Sequence, residues 1–355
     1  MNKNIQQINE ILAMIRKNEI KKITLDFFKK DVKMFLQKSI KLDQKIETNR
    51  MVLSEAEKEY FTDINEILQK AEELEKVIDQ RLIMQKVKNA FRMLLIDSPM
   101  YKSLMVRRAI EKPHGYPGDY QMIELFYDNQ PISKGIGFCG DKYILNENYV
   151  RAVRKRKDCM KKILSDFIKN SRLSSIKILN IGCGSCREIK ELFLSGFMTN
   201  KKLFFTLIDQ DEDALLFSND TFKHISKYIP KSVEFNFIKE NVLNLFKSKG
   251  HKDILKGQNM IYSIGLADYL PNIYLGRLIK FCFEILEPKG KLIIAHKNIK
   301  EYKALAPDWF CDWSFFPRNR RNLIDIVNTY LDNTNHDMKF MENSKYIFFM
   351  IINKL

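Results

Sequence analysis

The sequence predicts an α/β chain: a helical N-terminal domain over 1–145, then over 146–355 a mostly parallel, helix-covered sheet that closes with an antiparallel hairpin. Three observations predict it. From Lys3 to Met105 apolar residues recur at three-to-four spacing, with no Pro or Gly before Pro99. From Ile176 onward, short apolar runs alternate with helical stretches, the rhythm of βαβ units. Near the end that rhythm breaks, because two apolar runs face each other across a few polar residues.

In the first domain, Ile8, Ile11, Leu12 and Ile15, then Ile64, Ile67, Leu68, Ala71 and Leu74, each define one helical face. A polar turn is expected around Glu47 to Arg50. Sustained heptads are lacking, so the helices read as a packed bundle rather than a coiled coil. Pro113, Gly115, Pro117 and Gly118 then fall within EKPHGYPGDY, which no helix can cross. A short helix over 121–127, a Gly-rich loop from Pro131 to Gly140 and a strongly basic helix from Asn148 to Lys169 follow. The strands are expected at 177–181, 203–208, 233–238, 259–263 and 291–295, with the hairpin strands at 339–341 and 346–352.

Composition narrows the functional classes. The 355 residues are 45% hydrophobic and include 25 Phe and 14 Tyr, enough for a substantial core and too apolar for general disorder. No apolar run approaches the roughly 18 residues that span a bilayer, and the opening MNKNIQQINE has no signal-peptide core. Six scattered Cys suit reduced thiols and a cytoplasmic protein. The net charge of +16 is uneven. Residues 1–150 carry 25 Lys and Arg against 22 Asp and Glu, whereas 151–355 carry 35 against 22. That field admits nucleic acid as a partner, although a Lys-rich composition produces it equally well.

The strongest local signal is KILNIGCGSCREI, 177–189. A strand ends at Ile181, Gly182 and Gly184 permit a tight turn, and a helix starts near Cys186, where backbone N–H groups can meet a polar or anionic ligand. A plain strand-to-helix turn would read the same way. The next strand adds Asp209, twenty-five residues after Gly184, an acid at a strand tip that can accept both hydroxyls of a ribose. Arg187 stands where a dinucleotide site prefers a third glycine, so an adenosine site of another kind is favoured over nicotinamide.

These residues resemble the class I S-adenosylmethionine-dependent methyltransferases, over roughly 150–355. The resemblance implies a Rossmann-like seven-stranded sheet with a terminal β-hairpin, and S-adenosyl-L-methionine as cofactor. It implies that Gly182 and Gly184 lie under the methionine moiety, that Asp209 holds the ribose and that Asn241 meets the adenine, with Cys183, Gln210, Val242, Ser263 and Gly265 completing the set. Many members carry Asp at the adenine position; this chain has Asn241 with Glu240 beside it. HGYPGDYQMIELFYD, RAVRKRKD, GLADYL and DWSFFPR are similar to blocks of a bacterial subgroup with an N-terminal helical region, to which the enzymes making 3-hydroxy fatty acid methyl esters belong.

Methyl transfer from a sulfonium is an in-line displacement, so the protein aligns the nucleophile and excludes water. A lid serves both ends. GYPGDY is expected to fold over the sheet edge with Tyr116 and Tyr120 against the sulfonium and Asp119 near the methionine ammonium; a connecting turn with core tyrosines is the plainer alternative. Arg154, with Arg151, is a candidate partner for the methionine carboxylate. His296 and Asn298 follow one strand, Asp268 and Tyr269 the previous one, so all four are expected at the acceptor edge. His296 is the candidate general base and Tyr269 a candidate catalytic neighbour. Trp309, Asp312, Trp313, Phe315 and Phe316, followed by Arg318, Arg320 and Arg321, read either as an apolar pocket with a basic mouth or as packing. Cys183 and Cys186 spell a redox-like C-G-S-C, but no second pair exists for zinc and no metal is expected.

The expected activity is methyl transfer to a small-molecule acceptor, a carboxylate or acyl group ahead of an amine. Two rivals stand: aminobutyryl transfer or cyclisation that releases methylthioadenosine, and RNA binding or modification. A homodimer is compatible with all three.

Overall fold

The computed structural model describes residues 2–247, 249–316 and 318–355. It divides into two compact units, 1–147 with 304–314, and 148–303 with 315–355. The segment 304–314, expected within the sheet domain, belongs to the helical unit.

The helical unit runs through α1 (Asn2–Met14), α2 (Asn18–Asp26), a π-helical stretch (Phe27–Val32), α3 (Lys33–Glu47), α4 (Leu53–Val77) and α5 (Arg81–Ile96), then α6 (Leu104–Glu111), α7 (Tyr120–Asp128) and α8 (Ile136–Asn146). The expected turn after Glu47 is present. In α4 the buried face is Ala56, Tyr60, Asp63, Ile64, Ile67, Leu68, Ala71 and Leu74, as the spacing requires. The short helix Leu305–Cys311 fills this unit's aromatic core. Its fully buried Trp309 ring lies 5.6 Å from Phe27 and 5.5 Å from Phe91, and Nε1 donates to Glu75 Oε1 at 2.9 Å.

The expected Gly-rich loop is partly wrong, because α8 already begins at Ile136. A Cβ on Gly137 would lie 2.4 Å from the Lys102 carbonyl oxygen, and one on Gly140 would lie 2.8 Å from Ser103 Cβ. Those glycines let a helix approach its neighbour closely instead of loosening a loop.

The second unit begins with α9 (Asn148–Asn170) and β1 (Ser175–Ile181), then α10 (Arg187–Leu194), β2 (Lys202–Asp209), α11 (Glu212–His224), β3 (Val233–Lys239), α12 (Val242–Leu245), α13 (Lys249–Leu255), β4 (Gln258–Ser263), α14 (Asn272–Ile285) and β5 (Leu286–Lys297). After the excursion through α15 (the helix Leu305–Cys311), the chain forms α16 (Arg320–Tyr330), β6 (His336–Glu342) and β7 (Ile347–Lys354). The sheet order is β3-β2-β1-β4-β5-β7-β6. β1 to β5 pair in parallel and β7 runs antiparallel to both β5 and β6, so the fold class is α/β with a seven-stranded, Rossmann-like sheet and a terminal hairpin. Burial on both faces explains the continuous apolar runs of β1 and β7.

The sheet order reverses between β1 and β4, each of which leads to its next strand on the opposite side. Such a switch point opens a crevice at the carboxyl ends of the two strands, where open α/β sheets bind ligands.

Candidate functional site

At that crevice the glycine turn has the geometry expected of it. Gly182 and Gly184 adopt φ +68° and +53°, and Cys186 follows at +50°. The N–H groups of Gly182 and Cys183 both donate to the Ile208 carbonyl, at 2.8 and 3.0 Å, which ties the turn to the tip of β2. A Cβ on Gly182 would meet Leu266 Cβ at 3.2 Å. Cys183 and Cys186 are buried with their thiols hydrogen-bonded, and burial pushes the Cys183 thiol well above its ordinary value, the environment of a packed rather than reactive sulfur.

Asp209 closes the turn from the β2 side. Its Oδ2 accepts from Gly184 N at 2.8 Å and its Oδ1 from Asp211 N at 3.0 Å. Burial raises its carboxyl above the usual value, against the pull of the N–H groups of Asp211, Gly184 and Gln210. Ser218 Oγ adds a bond to the Gly184 carbonyl at 2.9 Å. Each carboxylate oxygen keeps a further lone pair, so the group can support the turn and accept from a ligand together.

Beyond β3, Asn241 Oδ1 accepts from Leu243 N at 2.8 Å and caps α12, while its Nδ2 donates to Gln210 Oε1 at 2.8 Å. The neighbouring Glu240 accepts from Asn241 N at 2.7 Å and Asn244 Nδ2 at 2.9 Å. Val242 packs against the sheet core. On the β4 side, Ser263 Oγ is buried and donates to the Ile181 carbonyl at 2.7 Å, and Gly265 lies half-buried just beyond. The structure therefore gathers Gly182, Cys183, Gly184, Asp209, Gln210, Asn241, Ser263 and Gly265 along one edge of four neighbouring strands and their following loops.

A second cluster lies at the carboxyl ends of β4 and β5. Asp268, buried, pairs through Oδ1 with His296 Nδ1, accepts from Lys297 N at 3.1 Å and faces the Tyr149 hydroxyl at 3.5 Å. Burial would raise its carboxyl, but His296 and Lys297 outweigh burial and hold it below the usual carboxylate range. His296 is only 1% exposed and lies edge-on to Phe348, so it is held inside the sheet unit rather than standing open at the rim. Tyr269 is half-buried against Phe315, ring centroids 5.3 Å apart. Asn298 faces outward, its Nδ2 donating to the Lys345 carbonyl at 3.1 Å.

Three residues of this cluster carry no sequence-level expectation: Tyr149, Arg156 and Lys297. Arg156 and Lys157 fall on the buried stripe of α9 with Val153 and Met160, a placement legible from the three-to-four spacing. Arg156 reaches within 3.8 Å of where a Gly265 Cβ would stand. Arg154 is only half-buried and Arg151 is exposed, and burial beside Arg151 lowers the Arg154 guanidinium from its ordinary value.

Other expectations change. Asp119 is fully buried in the helical unit, held by Arg108 through both oxygens at 3.1 and 2.7 Å, and caps α7 through Met122 N at 2.8 Å. Those bonds give it a structural task in place of an ammonium contact. Tyr120, also buried, lies 5.4 Å from the His114 ring, and Tyr116 is half-buried in the turn around Gly115, φ +84°. Arg318 forms no basic mouth. It is 1% exposed and clamps the 267–272 loop, donating to Asn272 Oδ1 at 2.7 Å, to the Ala267 carbonyl at 3.1 Å and to the Leu270 carbonyl. The aromatic cluster is divided, Trp309 and Trp313 in the helical unit, Phe315 and Phe316 in the sheet unit, and Pro317 of that motif lies outside the described residues.

No family model and no curated protein matches the chain. Among solved structures it is similar to a possible exported protein from Bordetella parapertussis, with 14% identity over 91% of this chain and 95% of that one, TM-score 0.51. It also matches a magnesium protoporphyrin IX methyltransferase from Synechocystis with bound S-adenosylmethionine (9% identity, 59% of this chain, 86% of that one, TM-score 0.40). A third match is a methyltransferase from Archaeoglobus fulgidus (15%, 59%, 100%, TM-score 0.40). The first score indicates a shared fold over most of both chains.

Proposed function

We propose that this protein is a cytoplasmic S-adenosylmethionine-dependent methyltransferase acting on a small-molecule acceptor. The observation that carries the proposal is Asp209: a buried carboxylate at the tip of β2, hydrogen-bonded to the glycine turn after β1, the strand that borders the switch point of the sheet. Its spare lone pairs suit the two hydroxyls of a ribose. Gly182 and Gly184 keep the turn free of side chains where a ligand backbone would lie, and the Asn241–Gln210 pair offers amide groups for a purine edge. The donor set thus fits an adenosyl group, which in S-adenosylmethionine comes with a methyl on a positively charged sulfur.

The chain's own residues supply binding and alignment. Arg154 is proposed to meet the amino acid carboxylate, and the Asp268–His296–Tyr269 edge to receive the acceptor.

The test is mass spectrometry of nucleoside products after incubation with S-adenosylmethionine, alone and with a metabolite extract. S-adenosylhomocysteine formed only with extract supports the proposal. Methylthioadenosine above the enzyme-free rate would instead mean attack at the aminobutyryl carbon. Salt-sensitive retention on RNA, with neither product formed, would point to the nucleic-acid reading.

A further inference from the structure

Lys297, the last residue of β5, is 6% exposed, and its Nζ has no hydrogen-bond partner among the described residues. Instead it lies against aromatic faces: Tyr149 at 4.1 Å, Tyr302 at 4.8 Å, and Phe315. The near carboxylate, Asp268, is already engaged by His296, by the Lys297 backbone N–H and by the Tyr149 hydroxyl. The other charged neighbour is a cation, Arg156. Burial holds the Lys297 ammonium well below the ordinary lysine value, Arg156 adds to that and Asp268 opposes it. The rings offer a cation some attraction, but they replace all three hydrogen bonds that water would accept from it.

We propose that Lys297 is the proton acceptor of the acceptor site, and that the methylated atom of the substrate therefore carries a hydrogen, as in an amine or a hydroxyl, rather than being a carboxylate oxygen. The inference rests on the methyltransferase reading for the identity of the reaction. It revises the preference for a carboxylate, which needs no base. The placement supports the role: Lys297 ends the strand next to β4, and Arg156 spans from its surroundings to the loop of Gly265. In the step, the Lys297 lone pair takes the proton from the nucleophile as the nucleophile–methyl bond forms and the carbon–sulfur bond breaks. The electron pair of that bond stays on sulfur, so the positive charge leaves sulfur and appears on Lys297. His296, inside the Asp268 pair, then serves to position the strand end rather than to act as the base.

The experiment is a pH titration of lysine side-chain signals by NMR on the full-length protein, with Lys297→Met and Lys297→Arg to identify the resonance. One lysine signal that loses its charge well before the rest, and is missing in both variants, is expected. A Lys297 signal that titrates with the surface lysines would overturn the proposal. Calorimetry with S-adenosylhomocysteine separates the two readings: if the wild type fails to bind it, the methyltransferase reading falls while the titration still judges the lysine. If it binds, K297M should keep that affinity within about twofold while extract-supported turnover drops by about 100-fold or more. A methyl ester as the reaction product would sink the assignment.

Discussion

At the scale of single residues, the buried carboxylates Asp209 and Asp268 differ in what their surroundings do to them. Asp209 is raised by burial, and its ionised form accepts from both hydroxyls of a diol where the protonated one has an oxygen turned donor, so affinity for S-adenosylhomocysteine should weaken on acidification before ordinary surface carboxylates are protonated. Calorimetry across acid pH checks this, and Asp209→Ala should abolish measurable binding; unchanged affinity would place the site elsewhere. Asp268 is lowered, so the stability it contributes is present above the ordinary Asp value and is lost only as pH falls through a lower folded value. Asp268→Asn leaves His296 without its buried partner and should cost about 3 kcal/mol in urea unfolding at neutral pH. Lys297 has a linkage of the same sign in a more alkaline range, but there its charged form costs stability instead of contributing it. Its folded value lies below its unfolded one, so between them the unfolded chain binds more protons and stability rises with pH. That rise should be missing in Lys297→Met, which should also be the more stable protein at pH 7.

At the scale of elements, strand positions were legible because buried parallel strands need uninterrupted apolar runs, and the runs at 177–181, 203–208 and 259–263 are flanked by polar turns. The acid at the tip of β2 and the glycine turn were legible for a local reason: both are fixed by a strand end. The base was not. His296 and Lys297 are consecutive on β5, and which of them is enclosed by aromatic rings depends on Tyr149, Tyr302 and Phe315, brought from distant parts of the chain. Gly137 and Gly140 misled in the same way, since a glycine in a loop and a glycine at a helix crossing are spelled alike. Gly276 in α14 is another such crossing: a Cβ there would stand 2.1 Å from the Tyr330 ring of α16. Gly276→Ala should therefore cost about 1–3 kcal/mol, and less in a Tyr330→Leu background. Additive unfolding energies for the pair would show that the helices separate without strain.

At the scale of the molecule, the chain passes between the two units at 147/148, 303/304 and 314/315. A fragment of 148–355 would carry Trp309 and Phe310 away from the helical unit's rings that bury them, so it should aggregate. Replacing 304–314 in that fragment by a short Gly-Ser linker should restore a monodisperse protein by gel filtration; persistent aggregation would mean the sheet unit has further unmet needs. Among the described residues, no helix is long and apolar enough to cross a membrane. The placement of Trp309 bears on how the protein is made. A ribosome delivers the N-terminal helices first, yet the indole that completes their core against Phe27 and Phe91 emerges only after β5 has been synthesised. The first part of the chain to appear is thus among the last to finish folding, and until then its unfilled aromatic cleft is a natural target for chaperones.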